Sequence, residues 1–262
     1  MGVLNVTPDS FYDGGRFFDP VRAAAQGLRL AEEGADIIDV GGESTGPKSS
    51  AVSLKEEISR VIPLIEKLRA KTKVWISVDT YKAETARLAL EAGADMVNDV
   101  TALRGDRKMA DTLAGYDVPV VIMYGKDKTP RTTIKNKSYK NVIKTVLDFL
   151  RGRVEYGVKK GIKHSRFIID PGMGAFISSD PKYSLQILKN LALLGKIGLP
   201  ILVGASRKSF IGAALNLPVE ERLEGSLACA AVAVMNGAAI IRAHDVKETR
   251  RVVDMVRIIQ NS

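Results

Sequence analysis

The sequence predicts an α/β protein, a single TIM-type (β/α)8 barrel spanning residues 1–262 with its active site at the C-terminal ends of the strands. Three observations predict it. Short apolar segments alternate with helical ones along the whole chain, eight of each, and no linker or composition break divides them. Several of the apolar segments run straight into a polar residue and turn residues, as in Phe167-Ile168-Ile169-Asp170-Pro171-Gly172. That is the pattern of a strand buried on both faces that opens into a loop. A frame of Gly, short strand and polar residue also returns three times, at Gly34 to Asp39, Gly93 to Asn98 and Gly237 to Arg242. Each Gly can close a helix at positive φ, while the terminal polar residue changes from Asp to Asn to Arg.

The elements run in order along the chain. Strand one is Gly2 to Val6, and a loop rich in turn residues leads to Asp19-Pro20, a cap with Pro at the first helical position of a helix reaching Gly34. Strand two, Asp36 to Val40, is followed by a loop from Gly41 to Ser50 and a helix from Ser53 to Ala70. Strand three, Lys73 to Val78, ends in Asp79-Thr80 before a helix from Tyr81 to Ala92. Strand four, Asp95 to Val97, ends in Asn98-Asp99, and a shorter helix covers Lys108 to Ala114. Strand five is Val118 to Met123, and the polar, basic stretch from Tyr124 to Lys140 is expected to be mobile. A helix from Asn141 to Lys160 precedes the strand that ends at Asp170. Then come a helix over Pro181 to Leu194, strand seven at Pro200 to Gly204, a helix over Glu220 to Asn236, strand eight at Ala239 to Arg242, and a closing helix from Val246 to Gln260.

Composition narrows the function. With 262 residues and 45% hydrophobic content the chain can bury a sizeable core. No apolar run approaches a membrane span and no signal-peptide layout opens the sequence. The single Cys229 has no partner for an internal disulfide, so a cytoplasmic setting is expected. The net charge of +9 is spread over helix faces, as in Leu54-Lys55-Glu56-Glu57, without the interleaved aromatics of single-strand binders. Nucleic acid is therefore not the expected partner; an anionic small molecule is.

Barrel geometry gathers the residues after each strand into one pocket: Asn5 and Thr7; Asp39, Glu43, Ser44 and Thr45; Asp79 and Thr80; Asn98 and Asp99; Asp170; Ser206, Arg207 and Lys208; Arg242 and His244. Its chemistry divides. Asp79, Asn98 and Asp170 are acceptors suited to a flat heterocycle displaying several N–H groups, whereas Asn5, Arg242 and His244 suit an anion, and Lys208 can serve either side. Structural roles compete at some positions: Asp39 can bind the amides of Gly41 and Gly42, Asp99 can cap the next helix, and Arg207 can pair with a surface acid.

These motifs resemble a known family. Asn5-Val6-Thr7-Pro8-Asp9-Ser10-Phe11, Asp39-Val40-Gly41-Gly42-Glu43-Ser44-Thr45, Ser77-Val78-Asp79-Thr80, Asn98-Asp99-Val100, Asp170-Pro171-Gly172, Ser206-Arg207-Lys208 and Arg242-Ala243-His244-Asp245 look like the signatures of dihydropteroate synthase, in order and over the whole chain. The resemblance implies the barrel and the condensation of 6-hydroxymethyl-7,8-dihydropterin diphosphate with 4-aminobenzoate, giving dihydropteroate and pyrophosphate. It implies that Asp79, Asn98, Asp170 and Lys208 hold the pterin, and that Asn5, Arg242 and His244 hold the diphosphate, with Asn5 also on Mg²⁺. Thr45, Ser209, Phe176 and the loops after strands one and two, including Thr7, then enclose the aminobenzoate. The residues expected to carry catalysis are Asp79, Lys208, Arg242 and His244.

The sequence departs from the family in four places. Gly46-Pro47-Lys48 follows Ser44-Thr45 where an Arg is usual, which makes Lys48 and Arg16 the candidates for that Arg's role. Met123-Tyr124 replaces a common Met-His pair. The loop Gly174 to Asp180 is about two residues longer than in the ordinary bacterial enzyme and resembles the sulfonamide-resistant branch. Strand one lies so near the first residue that an N-terminal cap over the barrel floor is missing, which leaves two expectations: a trimmed N-terminus, or another segment covering the floor. The rival readings are a methyltetrahydrofolate:corrinoid methyltransferase domain, a methanopterin-type synthase using a larger arylamine, and a non-catalytic pterin binder. A homodimer is expected from the apolar helix around Ser226 to Val234.

Overall fold

The computed structural model describes residues 1–6, 19–47 and 49–262, together with the backbone of 12–13 and 17–18. Of the sequence expectations, Thr7, Arg16 and Lys48 lie outside the described residues. The core is a parallel sheet of β1 (Gly2–Asn5), β2 (Ile37–Gly41), β3 (Trp75–Asp79), β4 (Met96–Asp99), β5 (Val120–Met123) and β6 (Phe167–Asp170), neighbours in chain order. A second parallel pair, β7 (Leu202–Val203) and β8 (Ile240–Ile241), completes the ring. Single parallel bridges join the two, Ile169 with Ile201 on one side and Gly2 with Ala243 on the other. Backbone bonds from Ile169 to Pro200 (2.9 Å) and from Val3 to Ala243 (3.0 Å) reinforce those seams.

Helices α1 (Pro20–Glu32), α2 (Leu54–Arg69), α3 (Ala83–Glu91), α4 (Met109–Ala114), α5 (Val142–Lys159), α6 (Pro181–Lys189), α7 (Ser209–Leu215), α8 (Leu223–Met235) and α9 (Val246–Asn261) surround the strands. The caps read from sequence are in place: Asp19 accepts from the Val21 and Arg22 amides at 2.9 and 3.1 Å, ahead of Pro20. Gly34, Gly93 and Gly237 take φ of 98°, 107° and 93°, so the threefold echo is a set of helix exits that only glycine enters without strain.

Two expectations need correction. Pro181 to Leu194 is not one helix, because α6 ends at Lys189 and a 3₁₀ turn covers Leu191–Ile197. The sequence pattern also does not show α7, which begins directly after Ser206-Arg207-Lys208. It is seven residues long, too short for its periodicity to stand out.

Strand parity positions the site. Successive side chains of a strand point to opposite faces, so each barrel strand sends alternate residues inward. Met96, Val121, Ile168 and Leu202 pack together with Ile37 and Ile240 as an apolar plug in the lower half of the barrel. Two residues further along the same parity come Asp39, Asn98, Met123, Asp170, Gly204 and Arg242. The opposite parity, Ile38, Val40, Ile76, Val78, Val97, Ile122 and Ile169, belongs to the main core under the helices. A polar residue of this inward parity at the end of an apolar strand is therefore carried to the barrel mouth.

Candidate active site

Arg242 at the end of β8 is the centre of the polar layer. Its Nε donates to Asp39 Oδ2 at 2.6 Å and one terminal nitrogen donates to Asp79 Oδ2 at 2.8 Å. Asn98 Nδ2 donates to the same Asp39 oxygen at 3.0 Å. Two of the residues inferred for the pterin and one inferred for the diphosphate are thus joined in one bonded chain, Asn98–Asp39–Arg242–Asp79. Fully buried Asp39 holds Arg242 and Asn98 in place, rather than the Gly41 and Gly42 amides. Its Oδ1 finds no donor among the described residues.

Burial and the neighbouring Asp39 charge push the Asp79 carboxyl above its ordinary range, with Arg242 pulling the other way. Two carboxylates sharing one guanidinium are poised for a ligand that brings positive charge or N–H donors.

On the other side of the pocket, Asp170 keeps one oxygen on the Gly172 amide at 2.7 Å, closing the loop after β6. Burial raises its pKa, and the charge of Lys208 opposes that rise. The Lys208 Nζ makes no hydrogen bond among the described residues and stands 5.5 Å from the centre of the Phe176 ring. Burial lowers it to about 8 despite Asp170 nearby. Gly204 lies beside Lys208 and Arg242: a Cβ there would stand 3.8 Å from Lys208 Nζ and 3.7 Å from Arg242 Cβ.

His244 keeps its outer side in solvent, and its Nδ1 meets Ser206 Oγ at 3.1 Å. The barrel rim behind it and the Arg242 charge lower its basicity, leaving a neutral imidazole at pH 7. Asn5, at the open end of β1, directs its side-chain oxygen toward Gly41, where a Cβ would stand 3.5 Å away. Thr45 and the exposed Ser209 lie on the loop after β2 and at the start of α7.

Two positions are structural, although Asp99 does not cap the next helix as the sequence suggested, since α4 begins after Lys108 with no side-chain cap. Asp99 has the outward parity and accepts from the Thr101 amide (2.8 Å), the Thr101 hydroxyl (2.6 Å) and the Leu103 amide (2.7 Å), so it clamps the loop after β4. Arg207 forms a two-pronged pair with Asp245 at 2.8 Å on both nitrogens.

The sequence reading placed Glu43 at the pocket but missed the groups that surround it beneath the loops, Glu57, Tyr81, Lys82 and Arg131. The side chains of Glu43 and Glu57 are 2% and 1% exposed, and Lys82 bridges them at 2.6 and 2.7 Å. Tyr81 donates to Glu43, and Arg131 pairs with it from the stretch after β5. That stretch, expected to be mobile, is instead fastened at many points, among them Lys126, Thr132, Lys137 and Tyr139. No sequence signal distinguishes these residues from ordinary surface lysines and threonines. A surface groove of about 720 Å³ between α5 and α6 is lined by Lys140, Lys144, Arg151, Lys189, Lys196 and Leu193, none of them in a motif, so the chemistry is assigned to the barrel mouth.

With this geometry in place, comparison with known proteins is decisive. A family profile described as pterin binding enzyme matches residues 1–244. The chain belongs to the pterin-binding enzyme family. It is 43% identical to a dihydropteroate synthase of Clostridium beijerinckii over 99% of this chain and 93% of that protein. Among solved members of the family, a Xanthomonas albilineans dihydropteroate synthase with 4-aminobenzoic acid superposes with a TM-score of 0.92 at 42% identity, covering 100% of this chain and 92% of that one. The same enzyme in complex with 7,8-dihydropteroate gives 0.88 at 40% identity, covering 100% and 93%.

Proposed function

We propose that this chain is a dihydropteroate synthase, acting in folate biosynthesis as a single-domain enzyme. It condenses 6-hydroxymethyl-7,8-dihydropterin diphosphate with 4-aminobenzoate. The observation that carries this reading is the placement of Asp79, Asn98, Asp170 and Lys208 on one face of the barrel mouth with Arg242 and His244 beside them. The acceptor set matches the N–H edge of a pterin. Arg242 keeps one amino group without a partner among the described residues, and His244 keeps its Nε2, so both are left to meet a diphosphate.

The reaction breaks the bond between the pterin methylene and its diphosphate oxygen, and the electron pair leaves with pyrophosphate. Arg242 and His244 stabilise the charge that develops on that oxygen. The methylene cation left behind is conjugated with the ring, and the Asp79 carboxylate, held at 2.8 Å from Arg242, faces it with negative charge as the guanidinium turns to the leaving group. The neutral arylamine then forms the new C–N bond and loses a proton to solvent, so no strong general base is required. Thr45, Phe176 and Ser209 border the space for the arylamine.

Mg²⁺ fits as a cation held mainly by the substrate. Among the described residues no group of three His, Cys, Asp or Glu side chains could hold a metal. The Asn5 side-chain oxygen would hold such an ion together with the phosphate oxygens of the substrate. When bound, it would neutralise charge on the departing diphosphate. No described helix is long and apolar enough to cross a membrane, and the unpaired Cys229 agrees with a reducing cytoplasm. The two substrates incubated with enzyme and Mg²⁺ should give dihydropteroate on chromatography. Methyl transfer from methyltetrahydrofolate, with no dihydropteroate formed, would instead identify the methyltransferase reading.

A further inference from the structure

Lys126 sits at the start of the stretch after β5, and its side chain is 2% exposed. A lysine so buried must place its charge among acceptors or lose stability. Its Nζ faces four oxygens: the Ala175 carbonyl at 2.5 Å, the Thr133 carbonyl at 2.6 Å, Thr132 Oγ1 at 2.9 Å and Asp127 Oδ2 at 3.0 Å. Its backbone amide donates to the Phe176 carbonyl at 2.9 Å. One residue therefore grips both peptides that carry Phe176, from the main chain and from the side chain.

Thr132 doubles the grip. Its hydroxyl lies 2.8 Å from the Ala175 carbonyl, and its amide donates to the Thr45 carbonyl at 3.1 Å. Next to it, Arg131 pairs with Glu43. The stretch after β5 thus ties the Thr45 loop to the Phe176 turn, and both loops border the space for the arylamine. Packing alone would be served as well by an apolar side chain, since a buried charge is rarely the cheaper way to fill a gap. What the lysine adds is a fixed register between two loops that lie far apart in sequence.

We propose that Lys126, with Thr132, is a positioning residue for the arylamine subsite: it sets the place of Phe176 relative to Thr45 and to Lys208, and so sets the affinity for the amine substrate without touching it. This assignment rests on the synthase reading. Three of the four groups assigned to the pterin, Asp79, Asn98 and Asp170, bond elsewhere, to Arg242, Asp39 and the Gly172 amide, and only Lys208 faces the Phe176 ring, so pterin binding should depend on this cluster far less than arylamine binding does.

The test is steady-state kinetics on the full chain for Lys126→Met, Thr132→Val and Thr132→Ser, with calorimetric binding of the dihydropterin diphosphate alongside. The Met and Val variants should raise the KM for 4-aminobenzoate about tenfold or more, because a small misplacement of a binding group is costly. Diphosphate binding should stay within about threefold, and Thr132→Ser, which keeps the hydroxyl, should behave as the native enzyme. If Lys126→Met fails to fold, the Val and Ser pair decides alone. An unchanged aminobenzoate KM in the Val variant, or equal losses for both substrates, overturns the assignment. A native enzyme that forms no dihydropteroate overturns the synthase reading and this assignment with it, whereas native activity with unsplit variants overturns only the assignment.

Discussion

Asp79 carries the most specific expectation at the scale of single residues. Its pKa lies above the ordinary 3.8 because burial and the Asp39 charge penalise the ionised form more than Arg242 supports it. As pH falls through that raised value the charge needed opposite the cation is lost. On the alkaline side Lys208, lowered to about 8 by burial with Asp170 opposing, loses its proton. The kcat/KM for the dihydropterin diphosphate should therefore be bell-shaped, with an acid limb well above ordinary carboxylate titration. Asp79→Asn should lower turnover more than pterin binding and should erase the acid limb while leaving the alkaline one. The same shift has a stability sign: the folded state binds this proton more tightly than the unfolded state, so ionisation weakens the fold as pH rises through that range. The Asn variant should thus melt no lower than the native protein at pH 7, because Arg242 retains Asp39 at 2.6 Å. A persistent acid limb in that variant would contradict the role given to Asp79.

Elements explain which groups matter for folding and which for selectivity. Lys82, at the start of α3, bridges Glu43 from the loop after β2 and Glu57 from α2, both buried. Lys82→Met should cost about 3–5 kcal/mol in urea unfolding because two carboxylates are left facing one another. Arg87, on the outside of the same helix, pairs with Glu84 and Glu91 in solvent. Arg87→Ala should cost less than about 1 kcal/mol. The turn Gly174–Phe176 makes a different prediction. A sulfonamide places a bulky tetrahedral group where aminobenzoate has a flat carboxylate, so a displaced Phe176 can reject the inhibitor while sparing the substrate. The native chain should show weak sulfonamide inhibition, and removing two residues from Gly174 to Asp180 should restore it. An unchanged ratio of inhibition constant to aminobenzoate KM after shortening would rule the loop out as discriminator.

The whole molecule was legible from sequence to the extent that parity and turn chemistry are local. Asp19-Pro20, the three helix-ending glycines and the strand-ending polar residues all encode their roles within a few positions. Parity even separates neighbours: Asn98 points into the barrel and Asp99 into the loop. Contacts between loops distant in sequence were not legible, because Lys126 at the Ala175 carbonyl and Arg242 between Asp39 and Asp79 exist only once the ring has closed. Nor was α7, whose seven residues depend on packing more than pattern. At this scale the outer face of α8 and α9 is unusually apolar, with Met235 62% and Ile258 63% exposed beside Met255 and Ile259. Such a face favours a homodimer. Sedimentation at micromolar concentration should give a dimer, and Ile258→Glu with Met235→Glu should give a monomer; a monomeric native protein would contradict this.

The central claim is that the diphosphate departs before the amine attacks, with Arg242 and His244 receiving its charge and Asp79 facing the cation. Positional isotope exchange tests it most directly. Dihydropterin diphosphate labelled with ¹⁸O in the bridge between methylene and phosphorus is held with enzyme and Mg²⁺ in the absence of 4-aminobenzoate, then recovered. Departure first predicts that the label moves into non-bridging positions, because the freed phosphate can turn before the bond re-forms. Label that stays in the bridge, in an enzyme that forms dihydropteroate once aminobenzoate is added, would contradict the account and require direct displacement by the amine.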